Sequence, residues 1–273
     1  MTPGIHVLPE AEYHAMRDML SASICKVLIE RSPAHAKYQR DHGWDDATQQ
    51  SDRGSIAHAL LFEGVERMAV LEYPDYRTNA AKEARESARA ASQYPVLSKD
   101  VQAIRDMVGA ARHAWETCPD LQGYAPANGK PELSVIWNDD ATPCRCRPDW
   151  LSNDYRVIID GKFSEHPANP ETVARQIIGQ AFDQRAAFYC RGIHAVTSIA
   201  PVYVYLFQEV DPPYCTSFVS VSPAMLELGR AKVEYALGRW RECISTGVWP
   251  GYDQRIHYSE PPQWALEQWG VTT

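Results

Sequence analysis

Long apolar runs are absent from this 273-residue sequence. Spanning a bilayer takes about 18 or more consecutive apolar residues, and the opening MTPGIHVLPEAEYHAMRDML is interrupted by acidic residues where a signal segment needs a continuous apolar stretch. The expectation is a cytoplasmic protein without membrane contact. Disulfide spacing is absent too. The seven cysteines (Cys25, Cys118, Cys144, Cys146, Cys190, Cys215 and Cys243) are odd in number and scattered, which fits a reducing compartment. Only Cys144 and Cys146 are close, and no second close pair completes a zinc or iron–sulfur set, so they read as packed thiols. Glycine (15) and proline (19) are in ordinary supply, and neither internal repeats nor low-complexity linkers occur, which argues against fibrous and disordered chains. Positive charge is scarce: 27 Lys and Arg stand against 35 Asp and Glu, for a net charge of −8. Simple nucleic-acid binders are usually basic. The deficit weighs less against an enzyme whose clustered carboxylates hold divalent cations and whose phosphate contacts lie in one local groove.

What is present is enough for a substantial core, with 45% apolar and 23% charged residues. Residues 21–30 place Ile24, Val27 and Leu28 at helical spacing behind Ser21 and Ser23, and Ser32-Pro33 ends the run. From about Arg53, RGSIAHALLFEG reads as a helix buried on most sides, with Gly64 as its stop. Residues 79–93 and 99–117 read as a helical pair closed by Pro95 and Pro119. The period then changes. Residues 131–137, 144–151 and 155–163 read as three successive strands separated by turn residues. A helix over 170–190 carries Val173, Ile177, Ala181 and Phe188 on one line, two strands follow, and residues 223–246 form a long last helix. The tail, 248–273, reads as an irregular strap anchored by burial of Trp249, Trp264 and Trp269. The expectation is one mixed α/β domain with a mainly helical part (1–125), a core (126–247) and a strap (248–273).

Chemistry concentrates in the three-strand block. In a strand, positions i and i+2 share a face, so Asp160 and Lys162 of IIDGK project together with Gly161 between them. The short turn SNDYR sets Asp149 of RPDW beside Asp160 across a hairpin. Two carboxylates that close repel unless a cation lies between them. Mg²⁺ accepts such carboxylates together with a backbone carbonyl, here that of Gly161, and Mn²⁺ can substitute for it. Lys162 is then placed to orient or deprotonate an attacking water. A lone D-x-K in a strand is more often a solvent-facing ion pair. Here, however, VIID is a buried-looking strand that becomes charged at its C-terminal end, where α/β sheets carry functional groups.

Asp149 in RPDW, Asp160-Gly161-Lys162 in IIDGK and the following QRAAFY together resemble the PD-(D/E)xK nuclease superfamily, most closely its RecE-type exonuclease VIII branch. LSASICKVLIERSPAHAKY resembles that branch's opening segment, RGSIAH resembles its G-x-x-x-H helix, and WPGY and PPQW resemble its tail, so the likeness runs from about Leu20 to Trp264. The resemblance implies a restriction-endonuclease-like core, a central mixed sheet flanked by helices, with a helical N-terminal elaboration. It implies that His58, Asp149, Asp160 and the Gly161 carbonyl ligate metal and that Lys162 serves the nucleophilic water. Glu132 matches an acidic position that binds a second ion or a water of the first. Without the resemblance, His58 on its apolar helix reads as a hydrogen-bonded core histidine. For DNA contact the resemblance points to Gln184, Arg185 and Tyr189. Relatives carry a glutamine four residues before the tyrosine; here Arg185 holds that place, and its guanidinium fork suits a phosphate.

By resemblance the chain is a Mg²⁺-dependent deoxyribonuclease, a 5′–3′ exonuclease on linear double-stranded DNA. It would act in phage-type recombination beside a single-strand annealing recombinase, as a homo-oligomeric ring. An endonuclease of the same superfamily and a catalytically silent DNA- or partner-binding protein are the alternatives. An iron–sulfur nuclease is disfavoured, because after Lys162 the remaining cysteines are each more than twenty residues apart.

Overall fold

A computed structural model describes residues 1–43, 52–64 and 67–271. The chain begins with β1 (Gly4–His6), α1 (Glu10–Ala15), α2 (Ala22–Glu30), α3 (Pro33–His42) and α4 (Asp52–His58), and α4 runs on into a π-helical turn, Ala59–Glu63. Next come β2 (Met68–Leu71), α5 (Asn79–Ala90), β3 (Tyr94–Leu97) and α6 (Val101–Thr117). The strand-rich part holds β4 (Gly129–Pro131), β5 (Ser134–Asp139), β6 (Thr142–Cys146), β7 (Trp150–Ser152) and β8 (Val157–Ser164). The chain continues through α7 (Pro170–Gly179), α8 (Phe182–Thr197), β9 (Val202–Glu209), β10 (Thr216–Ser220), α9 (Pro223–Thr246) and α10 (Gln263–Gln268). Among the described residues no helix is long and apolar enough to cross a membrane.

The architecture is mixed α/β around a five-stranded sheet of order β10-β9-β8-β7-β4. Its one parallel pair is β8 with β9, which requires a crossover, supplied by α7 and α8. The two central strands are buried on both faces. Ile158 on β8 and Tyr203, Tyr205 and Phe207 on β9 join the cluster formed with α2, α8 and α9. Val157, Ile159, Val204 and Leu206 face the opposite way, into the cluster with Phe62 and α6. Burial on both faces explains why these strands read as nearly unbroken apolar runs. It also fixes the sides: Asp160 and Lys162 follow Ile158 to the α8 face, whereas Gly161 turns toward the π-turn. There is no room at Gly161 for a side chain, since a Cβ would come within 2.6 Å of the Phe62 ring.

Helix boundaries follow the local signals closely. Ser21 caps α2 by accepting from the Ile24 amide at 3.4 Å, Ser222 caps α9, and Gly247 ends α9 at φ 69°. Three expectations need correction. The three strands are five, because the chain leaves the central sheet and returns: β5 and β6 pair with β1 in a separate three-stranded sheet. Glu132, at φ 53°, divides β4 from β5, and Pro148-Asp149 divides β6 from β7. The 170–190 helix is two helices, broken at Ala181 in a left-handed conformation of φ 57°. Between α5 and α6, Pro95 lies inside β3, which pairs in parallel with β2 in a two-stranded sheet, a place that tolerates the missing donor because both strands are edges.

The tail also departs from expectation. Trp249 packs edge-to-face on Trp240 at 5.4 Å, beneath the Arg40 guanidinium at 5.0 Å. Trp264 and Trp269 are not buried; they are 67% and 78% exposed. The reason is continuity of exposure, since every residue from Gly251 to Trp264 lies in solvent. The seven cysteines are free, with Cys25, Cys144, Cys146 and Cys243 buried, Cys118 and Cys190 half-buried and Cys215 exposed.

Candidate metal centre and phosphate groove

The sheet-switching points carry the chemistry. Where the chain passes from β4 to β5 and from β6 to β7, the Glu132 amide donates to the Asp149 carbonyl at 3.2 Å, so both acids emerge at one level. The antiparallel register Trp150↔Ile159 brings Asp149 alongside the charged end of β8. There its carboxylate accepts from the Gly161 amide at 2.8 Å. From the other side, α4 delivers His58, whose Nε2 stands 3.1 Å from Asp149 Oδ2 and 3.8 Å from Glu132 Oε1. Arg147 donates to the second Glu132 oxygen at 2.5 Å.

These residues line a groove of about 780 Å³ together with Glu63, Arg67, Gly161, Lys162, Phe182 and Arg185. Among the described residues its wall carries four Lys or Arg side chains (Arg67, Arg147, Lys162, Arg185) and four acids (Glu10, Glu63, Glu132, Asp149). The groove is therefore charge-balanced on a chain whose net charge is −8. A divalent cation held by those acids would make it positive, which suits a phosphodiester.

Electrostatics set the four central groups apart. Burial, reinforced by the neighbouring Asp149 charge, pushes the Glu132 carboxyl up to about 7 against the pull of His58 and Arg147. Burial also works against ionisation of Asp149, but the charge and hydrogen bond of His58 outweigh it and hold Asp149 well below the usual carboxylate range. His58 is the mirror case: burial opposes its charge, yet Asp149 lifts the imidazole above its ordinary value. For Lys162, burial and then the Arg185 charge bring the ammonium down to about 7, with Asp149 opposing. The Asp160 carboxylate in contact with Nζ opposes that fall as well.

Asp160 occupies a different place from the other predicted ligands. It is fully buried behind Lys162, whose Nζ pairs with its Oδ1. Its Oδ2 accepts from the Tyr203 hydroxyl at 2.6 Å and lies 3.6 Å from an Arg185 nitrogen. Lys162 also donates to the Gly161 carbonyl at 3.2 Å and lies 5.3 Å from the centre of the Phe182 ring. Of the predicted DNA contacts, Arg185 lines the groove. Gln184 is 1% exposed and so offers no surface to a duplex, while Tyr189 is half-buried in the core, 5.9 Å from the Tyr203 ring.

A divalent cation fits this donor set. His58, Glu63 and Glu132 each offer an atom within 4.8 Å of the others, Asp149 is in contact with His58, and burial and Asp149 disfavour the Glu132 charge in the absence of a cation. Oxygen donors with an imidazole suit Mg²⁺ and, better, Mn²⁺. Sequence reasoning missed Glu63, Arg147 and Tyr203. Arg147 stands two residues before Asp149, a spacing that could have shown it, and Tyr203 follows from the alternation of VYVY once the sheet is known.

Among solved structures, a crystal structure of a Eubacterium rectale protein described as a candidate exonuclease superposes with a TM-score of 0.64. It is 12% identical and covers 96% of this chain and 98% of its own, which shows a shared fold. An alkaline exonuclease of Laribacter hongkongensis, also 12% identical, covers 68% of this chain and 94% of its own at a TM-score of 0.28, too slight a likeness to carry an argument. No curated protein matches the sequence. Residues 21–261 match the family described as PDDEXK-like domain of unknown function (DUF3799), and the chain belongs to that family.

Proposed function

We propose that the protein is a divalent-cation-dependent deoxyribonuclease that hydrolyses phosphodiester bonds, acting on linear double-stranded DNA as a 5′–3′ exonuclease. The observation that carries this reading is the convergence of His58, Glu132, Asp149 and Lys162 on one charge-balanced groove. Membership of a PDDEXK-like family supports a nuclease, and the RecE-type resemblance supplies the exonuclease direction. His58, Asp149 and Glu132 would hold the cation, with Asp160 and the Gly161 carbonyl as further donors. Bound there, Mg²⁺, or Mn²⁺ in its place, supplies Lewis acidity to the phosphoryl oxygen and lowers the pKa of a water.

The chain's own residues do the rest. Lys162 takes a proton from the attacking water or holds that water in line with the scissile bond. Arg185, beside it on the groove wall, pairs with a phosphate oxygen through its guanidinium fork. Tyr203 holds the Asp160 carboxylate in a fixed orientation. The remaining proposals, a single domain, a cytoplasmic location, a single-strand annealing recombinase as partner and a homo-oligomeric ring, rest on the sequence reading.

The test is digestion of end-labelled linear duplex against closed circular duplex, in Mg²⁺ and in EDTA, with Lys162→Ala as control. Progressive loss of the linear substrate alone, abolished by EDTA and by the substitution, is the expected result. Cutting of the circle would make the enzyme an endonuclease with the same site. No cutting of either in Mg²⁺ or Mn²⁺ would overturn the nuclease reading in favour of a silent DNA-binding protein.

A further inference from the structure

Glu63 takes no part in the site as predicted from the sequence, and its position depends on an irregularity of the backbone. In an α-helix of about 3.6 residues per turn, positions five apart stand about 140° apart around the axis. His58 and Glu63 would then face different ways. The turn Ala59–Glu63 is π-helical, with the Gly64 amide bonded to the Ala59 carbonyl, and i→i+5 bonding widens the turn to about 4.4 residues, which narrows the angle between residues five apart to about 50°. The turn is held there by packing: the Phe62 ring lies 4.9 Å from His58 and 5.7 Å from Trp115, against the bare backbone of Gly161. Glu63 is therefore delivered to the groove by a buried anchor one residue away.

We propose that Glu63 is a further ligand of the divalent cation, sharing it with His58 and Glu132; the inference rests on the nuclease reading above. One donor atom from each of the three lies within 4.8 Å of the others. Ligands on opposite sides of a Mg²⁺ or Mn²⁺ stand about 4.2 Å apart, and on Ca²⁺ about 5 Å apart. Neighbouring ligands on such a small cation stand about 3 Å apart, so the three side chains would draw together around it. The competing role for Glu63 is to anchor Arg67, whose guanidinium lies 2.9 Å away and also reaches Glu10 at 3.6 Å. The two roles make opposite predictions. As a ligand, Glu63 is neutralised by Arg67 until a cation takes its place, so removing Arg67 frees the carboxylate. As an anchor, Glu63 matters only through Arg67, so losing either residue has the same effect.

The experiment is calorimetric titration of the full chain with Mn²⁺ alone, on the wild type, Glu63→Gln and Arg67→Ala, with thermal unfolding in Mn²⁺ and in EDTA alongside. The ligand role predicts that Glu63→Gln weakens Mn²⁺ binding about tenfold or more and shrinks the Mn²⁺-dependent rise in Tm, while Arg67→Ala leaves binding equal or tighter. Wild-type affinity in Glu63→Gln, or equal losses in both variants, overturns the proposal and leaves the nuclease reading intact. A wild type that binds no Mn²⁺ overturns both. If Glu63→Gln does not fold, Glu63→Asp, which keeps the charge but shortens the reach, takes its place in the same titration: binding weakened in it but not in Arg67→Ala supports the ligand role, and unchanged binding, or equal losses in the two variants, overturns it.

Discussion

Two clusters of buried charge are built from the same residue types to different ends. At the end of β5, Asp139 is almost fully buried, and guanidinium groups serve both of its oxygens: Arg191 from α8 reaches both, and Arg241 from α9 donates to Oδ1 at 2.8 Å. Arg241 also bonds the Asp139 carbonyl and the Thr142 hydroxyl, which clasps the β5–β6 hairpin to α9. In the groove, Glu63, Glu132 and Asp149 each meet a cationic partner, Arg67, Arg147 and His58. Yet the acids crowd one another, and the charge of Asp149 helps push Glu132 up to about 7. Where every carboxylate oxygen has a donor, charge holds the fold together. Where carboxylates face each other, charge opposes the fold and favours a divalent cation.

The sharpest way to separate the clusters is to remove one charge from each. Lys162→Ala lowers the rate of cleavage by about 10²–10⁴-fold, the usual contribution of a positioned acid–base group. It keeps the far-UV circular dichroism but loses some stability, because buried Asp160 is left without its ammonium partner; full activity in the variant would remove Lys162 from the mechanism. Asp139→Asn does the reverse. It leaves two half-buried guanidinium groups without their anion and destabilises the chain by about 3 kcal/mol in denaturant unfolding, while the surviving folded fraction keeps its specific activity. A loss of activity without a loss of stability would show that the two clusters are coupled.

Glu132→Gln tests the comparison from the opposite direction. Because burial and Asp149 disfavour the charged form, the neutral isostere stabilises the metal-free protein at pH 8 by about 1–3 kcal/mol. The same change weakens Mn²⁺ binding. Thermal unfolding in EDTA and in Mn²⁺ reads both effects, and a variant less stable in EDTA would mean that the Arg147 bond outweighs the crowding.

What could be read from sequence follows the same division. Elements announced by local chemistry were legible: the Ser21 cap, the Gly64 stop, and α9 over its whole length. So was the i, i+2 pairing of Asp160 with Lys162, because a strand's alternation is local. What depended on distant parts of the chain was not. Nothing near Glu132 or Asp149 signals that β5 and β6 leave the sheet there, and nothing near Glu63 signals that its helix widens. The burial of Asp160 behind Lys162 follows from Tyr203 on β9, 43 residues away. The tryptophans of the tail misled for a related reason: Trp249 has Trp240 to pack on, whereas Trp264 lies in a stretch exposed throughout, and composition cannot tell these apart.

The smallest effect is expected within the structural cluster itself, on the outer arm of Arg191. That guanidinium bonds buried Asp139 on one side and Glu234, 57% exposed on α9, on the other. Asp139 accepts from two Arg191 nitrogens and Glu234 from one, and the solvent differs as well. Exposed ion pairs contribute about 0–1 kcal/mol because water screens the attraction and ordering two long side chains costs entropy. Glu234→Gln should therefore shift stability by less than about 1 kcal/mol, and less still at high salt, against about 3 kcal/mol for Asp139→Asn. If the two substitutions cost the same, burial would not be what distinguishes the arms. The clasp would then act as one cooperative network through Arg191, and the double variant would lose no more than either single one.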